Sequence, residues 1–195
     1  PSANFADALQ GQVAGLQVFT SSGEPSENVS MRMRGVGSIN SSTEPLFILD
    51  GSPISSGVFT ALNPSDIENV TILKDASSTS IYGSRAANGV VVITSKRGRG
   101  AKPTVTVKGQ YGFNAPTWQL DASISGIANK TNYFISASHY DADGVEPASG
   151  MRRETLRSNL DTKVFDWLRV GVNLGLSYED WETNGFAGSG NSWYN

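Results

Sequence analysis

The sequence contains no cysteine, only one histidine and no long hydrophobic run, and each absence removes a class of protein. Without cysteine there is no disulfide framework, no thiolate zinc site and no cysteine nucleophile. The single histidine, His139, cannot supply the clustered imidazoles of most transition-metal centres, and the Gly-x-Ser-x-Gly elbow of serine hydrolases is missing. No stretch approaches the ~18 apolar residues of a transmembrane helix, although barrel strands leave a much weaker signal.

The charge and the motifs of the sequence argue against further classes of binding site. The 195 residues carry a net charge of −3, which gives no basic footprint for nucleic acid. The phosphate-loop motif is absent, and the glycine-rich stretch at Gly35 has Asn40 where a dinucleotide fingerprint needs its third glycine. The DADGVE stretch at Asp141 is only part of a calcium-loop pattern. We therefore predict no enzyme activity, no metal, no cofactor and no nucleic-acid partner.

The first half of the chain alternates short helices and strands. NFADALQGQVAG spaces apolar residues by four and predicts an amphipathic helix, and NVSMRMRG alternates as a half-buried strand does. The pair Asp50-Gly51 between apolar residues predicts a hairpin turn, because that turn needs positive φ at both central positions. Asn63 and Pro64 occupy the N-cap and first position of a helix, which is followed by a strand over Val70–Leu73.

The stretch KDASSTSIYGSRAANGVVVITSK could be read as a phosphate or nucleophile site, but its polar residues all have structural roles available. Asp75 can cap a helix over residues 76–82, and Gly83 can end it in a left-handed conformation. Asn88-Gly89 can form a turn before a β-branched strand over Val90–Thr94 that suits burial on both faces. The stretch is therefore interpreted as scaffold.

From ADALQGQVAGLQV through MRMRGVGSINSSTEPLFILDGSPI to LNPSDIENVTILKDASSTSIYGSRAANGVVVITSKRG, residues 6–98 resemble the plug domain of TonB-dependent outer-membrane transporters, specifically the SusC/RagA family. The resemblance implies a plug of short helices packed on a small mixed sheet, inside a 22-stranded antiparallel barrel. It implies no catalytic residue in the plug.

After Gly98 the pattern changes to strict alternation. LRVGVNLGLSY, from Leu168 to Tyr178, is apolar at every second position over a length close to the ~9 to 11 residues of a tilted membrane strand. TVTVKGQYG, QLDASISG and TLRSNLDTKV alternate in the same way. A strand with lipid outside and water inside has this pattern. A soluble sandwich also alternates, and the strands alone do not separate the two.

Loop lengths and aromatic residues predict how the strands sit in a membrane. IANKT and FDW are short enough for lower turns, and DADGVEPASG is a longer upper loop. YGFNAPTWQL joins the first two strands in a few residues where the family usually has a long segment, so either the loop is short or residues are missing between Tyr111 and Trp118. The aromatic residues expected in girdles are Tyr133 and Trp167 below, and Trp118, Tyr140, Tyr178 and Trp181 above.

The predicted fold is an α+β plug domain, residues 1–98, followed by antiparallel transmembrane β-barrel strands, residues 99–195. About five strands of the 22-stranded barrel are present. Because even the smallest membrane barrels need about eight strands, we expect the chain to be a fragment. We also expect it to lack the signal peptide, the leading accessory domain and the segment that recruits TonB.

The resemblance implies TonB-dependent import of a nutrient, an oligosaccharide or a peptide, across the outer membrane of a Gram-negative cell. The implied partners are a SusD-like surface lipoprotein as lid, the TonB complex and outer-membrane lipid. Candidate substrate contacts are the plug-loop residues Ser38, Asn40, Ser41 and Ser42 and the aromatic residues Trp181 and Trp193. The alternatives are a secreted, soluble β-rich ligand-binding module and a TonB-dependent receptor used mainly for signalling.

Overall fold

The computed structural model describes residues 5–6, 16–19, 30–33, 44–73, 80–113, 116–144 and 149–182, which contain three sheets. The strands before residue 98 are β1 Leu16–Phe19, β2 Ser30–Met33, β3 Leu46–Leu49, β4 Ser52–Ile54, β5 Ile67–Leu73 and β6 Val90–Ser95. The strands after it are β7 Thr104–Gly112, β8 Thr117–Ala128, β9 Thr131–Asp143, β10 Gly150–Phe165 and β11 Leu168–Glu182. None of the helices in the described ranges is long and apolar enough to cross a membrane.

A mixed sheet with the order β4-β3-β6-β5 organises the first half, beside the two-stranded pair β1-β2. β6 lies inside this sheet, parallel to β3 and antiparallel to β5. Its side chains Val91 and Ile93 pack into one apolar cluster, and Val90 packs into another. The β-branched run is therefore buried on both faces, as the sequence predicts. The larger cluster contains Phe47 stacked on Phe59, with ring centroids 4.3 Å apart.

Turn chemistry in the first half is mostly as predicted. Asp50 and Gly51 have φ values of 49° and 88° and join β3 to β4, which confirms the hairpin turn. A short helix, α1 (Ser56–Thr60), follows. Asn63 caps Pro64–Asp66 as predicted, but this is a single 3-10 turn because Ile67 already begins β5.

The segment around Gly83 differs in detail from the prediction. Residues Ser80–Ala86 form two 3-10 turns, and Gly83 joins them with φ 69° and ψ −159°. The positive φ is confirmed, but the ψ is extended rather than left-handed helical, so Gly83 redirects the chain instead of ending an α-helix. Residues 76–79 of the predicted helix and most of the N-terminal helix lie outside the described residues.

The second half is a long antiparallel sheet in which β7 to β11 pair in chain order. Its strands are 9 to 16 residues long. The lower connections are residues 129–130 and 166–167, and the upper ones are residues 113–116 and 144–149. Tyr111 pairs directly with Trp118 in the register of β7 and β8, and residues 114–115 of their connection lie outside the described residues. The upper and lower connections follow the predicted pattern.

The two faces of the long sheet differ in polarity. The outer face carries exposed apolar side chains: Val105, Val107, Leu120, Ile124, Ile135, Leu156, Leu160, Val170, Val172, Leu174 and Leu176. The inner face packs on the mixed sheet and buries polar side chains: Gln119, Asp121, Ser136, Ser138, Arg153, Arg157 and Asn159. From Leu168 to Tyr178 the strand rises about 33 Å, which at a barrel tilt of ~40° gives an apolar band about 25 Å tall.

Two of the predicted girdle residues are on the wrong face. Tyr140 is 3% exposed and lies under the guanidinium of Arg153, 5.2 Å from its ring centroid, on the inner face. Trp181 shares the inner face of β11 with Glu179, since alternate residues of a strand point the same way. Trp118 and Tyr178 lie on the outer face at the upper end, and Trp167 is exposed at a lower turn.

Candidate functional site

The inner face of β10 meets the mixed sheet at a buried charged cluster. The guanidinium of Arg157 lies 3.9 Å from the Asp50 carboxylate and 3.8 Å from the Asp66 carboxylate. These three side chains, called here the Arg157 cluster, are between 4% and 8% exposed. Both distances exceed a hydrogen bond, so the cluster is held by charge in a site where water screens it little.

Local structure fixes the two carboxylates of the Arg157 cluster. Asp50 occupies the positive-φ hairpin turn, from which its carboxylate accepts hydrogen bonds from the Ser95 backbone N–H, at 2.9 Å, and from the Ser95 hydroxyl. Asp66 ends the 3-10 turn that Asn63 caps. Asn159, two residues along β10 from Arg157, donates to Ser95 Oγ at 2.9 Å and to the Lys96 carbonyl at 2.7 Å. One strand of the long sheet therefore binds three separate segments of the mixed sheet.

A second group of polar contacts joins β8 to the same region. The Asp121 carboxylate accepts hydrogen bonds from Asn63 Nδ2 at 2.7 Å, from Ser65 Oγ at 3.0 Å and from Gln119 Nε2 at 3.0 Å. Near the lower end, Arg97 pairs with Asp161. The contact between the two halves is thus made largely by hydrogen bonds and ion pairs between named polar side chains.

Burial raises the pKa of the Asp66 carboxyl above its ordinary value of 3.8, because the charged form loses its hydration. The neighbouring carboxylate of Asp121 acts in the same direction, whereas the cations Arg157 and Lys96 oppose the shift. Asp66 therefore holds its proton to a higher pH than an exposed aspartate does.

A cleft of about 650 Å³ opens between α1, the β3–β4 hairpin and the inner faces of β10 and β11. Its floor contains the Arg157 cluster, and Glu179 and Trp181 lie nearer the upper end of β11. Gly175 pairs with Arg157 in the strand register, and a Cβ placed there would sit 3.6 Å from the guanidinium. The absence of a side chain at Gly175 leaves the space beside Arg157 open.

The candidate contacts named from the sequence have different outcomes. Trp181 lines the cleft and is 56% exposed. Ser38, Asn40, Ser41, Ser42 and Trp193 lie outside the described residues. His139 is on the outer face near the upper end, paired with Glu154 and 4.2 Å from the Trp118 ring, far from the Arg157 cluster.

Sequence reasoning did not identify the Arg157 cluster. Asp50 was assigned to a turn, Asp66 to the first turn of the helix capped by Asn63, and Arg157 to the polar face of a strand. The available signal was the polar face of β10 itself: arginine and asparagine on a strand that packs against another element require matched polar partners there.

Comparison with known proteins identifies the first half. Residues 1–90 match the family model described as TonB-dependent Receptor Plug Domain. The TonB-dependent receptor P26 of Formosa agariphila is 32% identical over 246 aligned residues, covering 98% of this chain and 25% of that protein. The TonB-dependent receptor SusC of Bacteroides thetaiotaomicron is 31% identical over 87% of this chain and 22% of its own length. The chain thus spans about a quarter of the length of these relatives.

Solved structures match both halves together. The RagAB peptide importer in its closed-closed state superposes with a TM-score of 0.84 and 29% identity, over 100% of this chain and 30% of that one. The siderophore receptor PirA of Acinetobacter baumannii, with 18% identity and a TM-score of 0.71, shares the fold alone. The long sheet therefore corresponds to barrel strands, and the chain belongs to the TonB-dependent receptors of the outer membrane, with its similarity to the SusC/RagA members.

Proposed function

We propose that this chain is the plug and first barrel strands of an importer that brings an oligosaccharide or a peptide across the outer membrane. In this proposal residues 1–98 are the plug and residues 99–195 are barrel, and the plug closes the pore until it is displaced. The observation that carries the proposal is the polar contact between the two halves, centred on Arg157, Asp50 and Asp66.

A polar contact with the barrel strands suits a plug that must move. Water can replace the hydrogen bonds of Asp121 and Asn159 when the plug shifts, whereas separated apolar surfaces would lose about 25 cal/mol for each Å² exposed. Interfaces inside a chain that are polar in this way are associated with relative motion. Apolar packing is kept within the mixed sheet, around Phe47 and Phe59, so the plug can remain folded when its contacts with the barrel are broken.

The proposed partners are a SusD-like surface lipoprotein as lid and the TonB complex as the source of energy. The similarity to SusC and to the RagAB peptide importer supports both. The proposed substrate contacts are Trp181 at the cleft and, in plug loops and the C-terminal region, Ser38, Asn40, Ser41, Ser42 and Trp193.

A soluble binding module fits the outer face of the long sheet less well. Val172, Leu174 and Leu176 are each about half exposed along a single strand, and the neighbouring strands continue the same apolar surface. Monomeric soluble proteins rarely expose a contiguous apolar patch larger than a few hundred Å². Contact with outer-membrane lipid accounts for this face.

Uptake by cells tests the proposal. A strain lacking the gene is complemented with the full-length protein and given radiolabelled neutral oligosaccharides of glucose, xylose and mannose, an oligogalacturonate and an oligopeptide of similar mass. We expect complementation to restore uptake of at least one probe, and removal of the TonB complex to abolish it. If no probe enters in a way that depends on both the gene and TonB, the import function is wrong.

A further inference from the structure

A second polar cavity lies beside the cleft, where the mixed sheet meets β7, β8 and β9. It has a volume of about 120 Å³ and is lined by hydroxyl groups and by charged side chains from both halves of the chain. Asp66 contributes a carboxyl group from the mixed sheet, and Asp121 contributes another from the inner face of β8. Both residues are buried, being 4% and 7% exposed. Two carboxyl groups, one from each half, therefore face one small polar space.

The two carboxyl groups have different hydrogen-bond partners. The Asp121 carboxylate accepts hydrogen bonds from three side chains, which are Asn63, Ser65 and Gln119. Asp66 instead lies 3.8 Å from the Arg157 guanidinium, which is beyond hydrogen-bond distance. The buried hydroxyl of Ser136 faces Asp66, but no partner lies within ordinary hydrogen-bond geometry of Ser136 Oγ. A hydroxyl group that can either accept or donate is thus unused beside the Asp66 carboxyl.

Several elements bring charged groups to the cavities beside Asp66. These groups are Arg157 on β10, Asp121 on β8, Lys96 after β6, Lys108 on β7, Asp50 in the β3–β4 hairpin and Glu179 on β11. Burial has the largest influence on Asp66 and raises its pKa, and the Asp121 carboxylate acts in the same direction. Ser136, Arg157 and Lys96 oppose the shift. Asp66 therefore holds a proton more firmly in the closed contact than it would in water.

We propose that the proton on Asp66 sets how firmly the mixed sheet is held against the long sheet. With the proton in place, Asp66 is neutral, can donate to Ser136 Oγ and does not repel Asp121. Without it, a buried charge faces a second carboxylate, and the contact relieves this cost by admitting water around the turn Pro64–Asp66. The contact is closed in acid and opens locally as the pH rises. This behaviour belongs to the contact alone and is independent of which substrate is imported.

Hydrogen exchange at several pH values tests this behaviour in the full-length protein in lipid nanodiscs. The Lys96 amide donates to the Asp66 carbonyl at 2.8 Å, so its exchange, corrected for the intrinsic pH dependence of amide exchange, reports opening at the turn. We expect the opening constant of this amide to rise with pH between pH 3.8 and the higher pKa of the closed state. A single titrating group limits the rise to about tenfold per pH unit. The Val91 amide, inside β6, should show no such rise.

Two aspartate variants separate Asp66 from the rest of the contact. Asp66→Asn does not titrate and resembles the neutral carboxyl group, so the Lys96 amide should open to the same extent throughout this pH range. Asp161→Asn is the matched control, because Asp161 also joins the two halves, through Arg97, but is 36% exposed and does not line the cavity. The Asp161→Asn protein should keep the pH dependence of the parent.

The sign and the origin of the pH dependence decide the outcome. If opening in the parent stays constant or falls between about pH 4 and pH 7, the groups that favour the carboxylate outweigh burial and the proposal is wrong. If the rise persists in Asp66→Asn, another group is responsible and the proposal is equally wrong. Asp66→Ser, a smaller residue without a titrating group, replaces Asp66→Asn if the latter disrupts the turn, and it must also abolish the pH dependence.

Discussion

At the scale of single residues, Arg157 lies at the floor of the cleft between the carboxylates of Asp50 and Asp66. These two aspartates belong to different segments of the first half of the chain. Neither Asp50 nor Asp66 was placed there by the local pattern that predicted its element. Asp50 is required by a hairpin turn and Asp66 follows a helix cap. Each residue therefore has a local role and a second role that only the contact with β10 creates.

Removing the guanidinium should weaken the contact between β10 and the β3–β4 hairpin of the mixed sheet. Arg157→Met leaves two buried carboxylates without their cation, and breaking a buried ion pair in this way costs about 3 to 5 kcal/mol. Arg152→Met, on the same strand but on the outer face, removes an exposed pair with Asp141 and should cost no more than about 1 kcal/mol. Local opening of the β3–β4 hairpin, followed by hydrogen exchange in the full-length protein, measures the difference. Equal effects of the two variants would contradict the role given to Arg157.

The pKa of Asp66 predicts a pH dependence with a definite sign. Because burial raises this pKa, the folded state binds more protons than the unfolded state between pH 3.8 and the raised value. The stability contributed by Asp66 is therefore present below pH 3.8 and lost as the pH rises through the folded-state pKa. Asp66→Asn does not titrate, so its unfolding free energy relative to the parent should increase with pH in this window. Denaturant unfolding at several pH values is the measurement, and a difference that stays constant or falls with pH would show that the interactions favouring the charged carboxylate outweigh burial.

Gly83 has a backbone conformation that other residues rarely adopt. Its φ of 69° with ψ −159° lies in a region open almost only to glycine, so Gly83→Ala should cost about 1 to 3 kcal/mol, although a Cβ would meet no atom within 4 Å. Gly57→Ala in α1 is the control, since it also meets open space but has no positive φ, and should be neutral or slightly stabilising. Thermal unfolding of the full-length protein compares them, and two equal effects would argue against backbone strain at Gly83.

At the scale of elements, β10 and β11 show how one strand serves two environments. Their outer faces carry leucine and valine, and their inner faces pair Arg157 with Gly175 and Asp161 with Gly171. Glycine lies opposite the charged side chain in both pairs. The alternation was readable from sequence because the side-chain period of a strand is two, but the matching of large to small across strands depends on register.

Adjacent substitutions on β11 test which face meets lipid. Val172 is 56% exposed on the outer face near the middle of the apolar band, so Val172→Arg should cost about 2 to 4 kcal/mol in a complete barrel in a bilayer. Asn173 faces the cleft, so Asn173→Arg should cost less for folding while reducing uptake. The experiment is reversible unfolding of the full-length protein in lipid vesicles. A cost at Asn173 equal to or above that at Val172 would mean that the faces are inverted.

At the scale of the whole molecule, the mixed sheet and the long sheet are packed differently and meet along the inner face of the long sheet. The mixed sheet has its own apolar clusters, whereas the long sheet buries no comparable cluster among the described residues and presents its apolar side chains outward. A sheet of that kind is stable only when its outer face meets lipid and its edges are paired by further strands. Outer-membrane localisation and membership of the TonB-dependent receptors explain both features.

The full-length protein should behave as a closed outer-membrane barrel in simple assays. We expect it to fractionate with outer membranes, to need detergent for extraction, and to migrate differently on gels with and without boiling, because every strand edge of a closed barrel is paired. A variant with Leu174 and Leu176 both changed to Asp should lose the heat-dependent migration, since charge then lies on the lipid face. Recovery of the parent protein from the soluble fraction would refute the membrane assignment.

Local chemistry in the sequence accounts for much of the architecture. The Asp50-Gly51 turn, the Asn63 cap and the buried strand β6 were all predictable, because each depends on a few neighbouring residues. The faces of β7, β8, β10 and β11 followed from alternation alone. Two assignments failed for one reason: Tyr140 and Trp181 were placed in a girdle by their height along the strand, although their position in the alternation puts them on the inner face.

By itself, the sequence determined the kinds of elements, their order, the polarity of each strand face and the family resemblance. Only the tertiary structure decided which polar groups meet. Arg157 is separated from Asp50 and Asp66 by about ninety to more than one hundred residues, and nothing in local propensity or periodicity encodes such a distant pairing. The pairing follows from strand register and from the way the mixed sheet sits on the inner face of β10, because a buried guanidinium is stable only where packing brings carboxylates beside it.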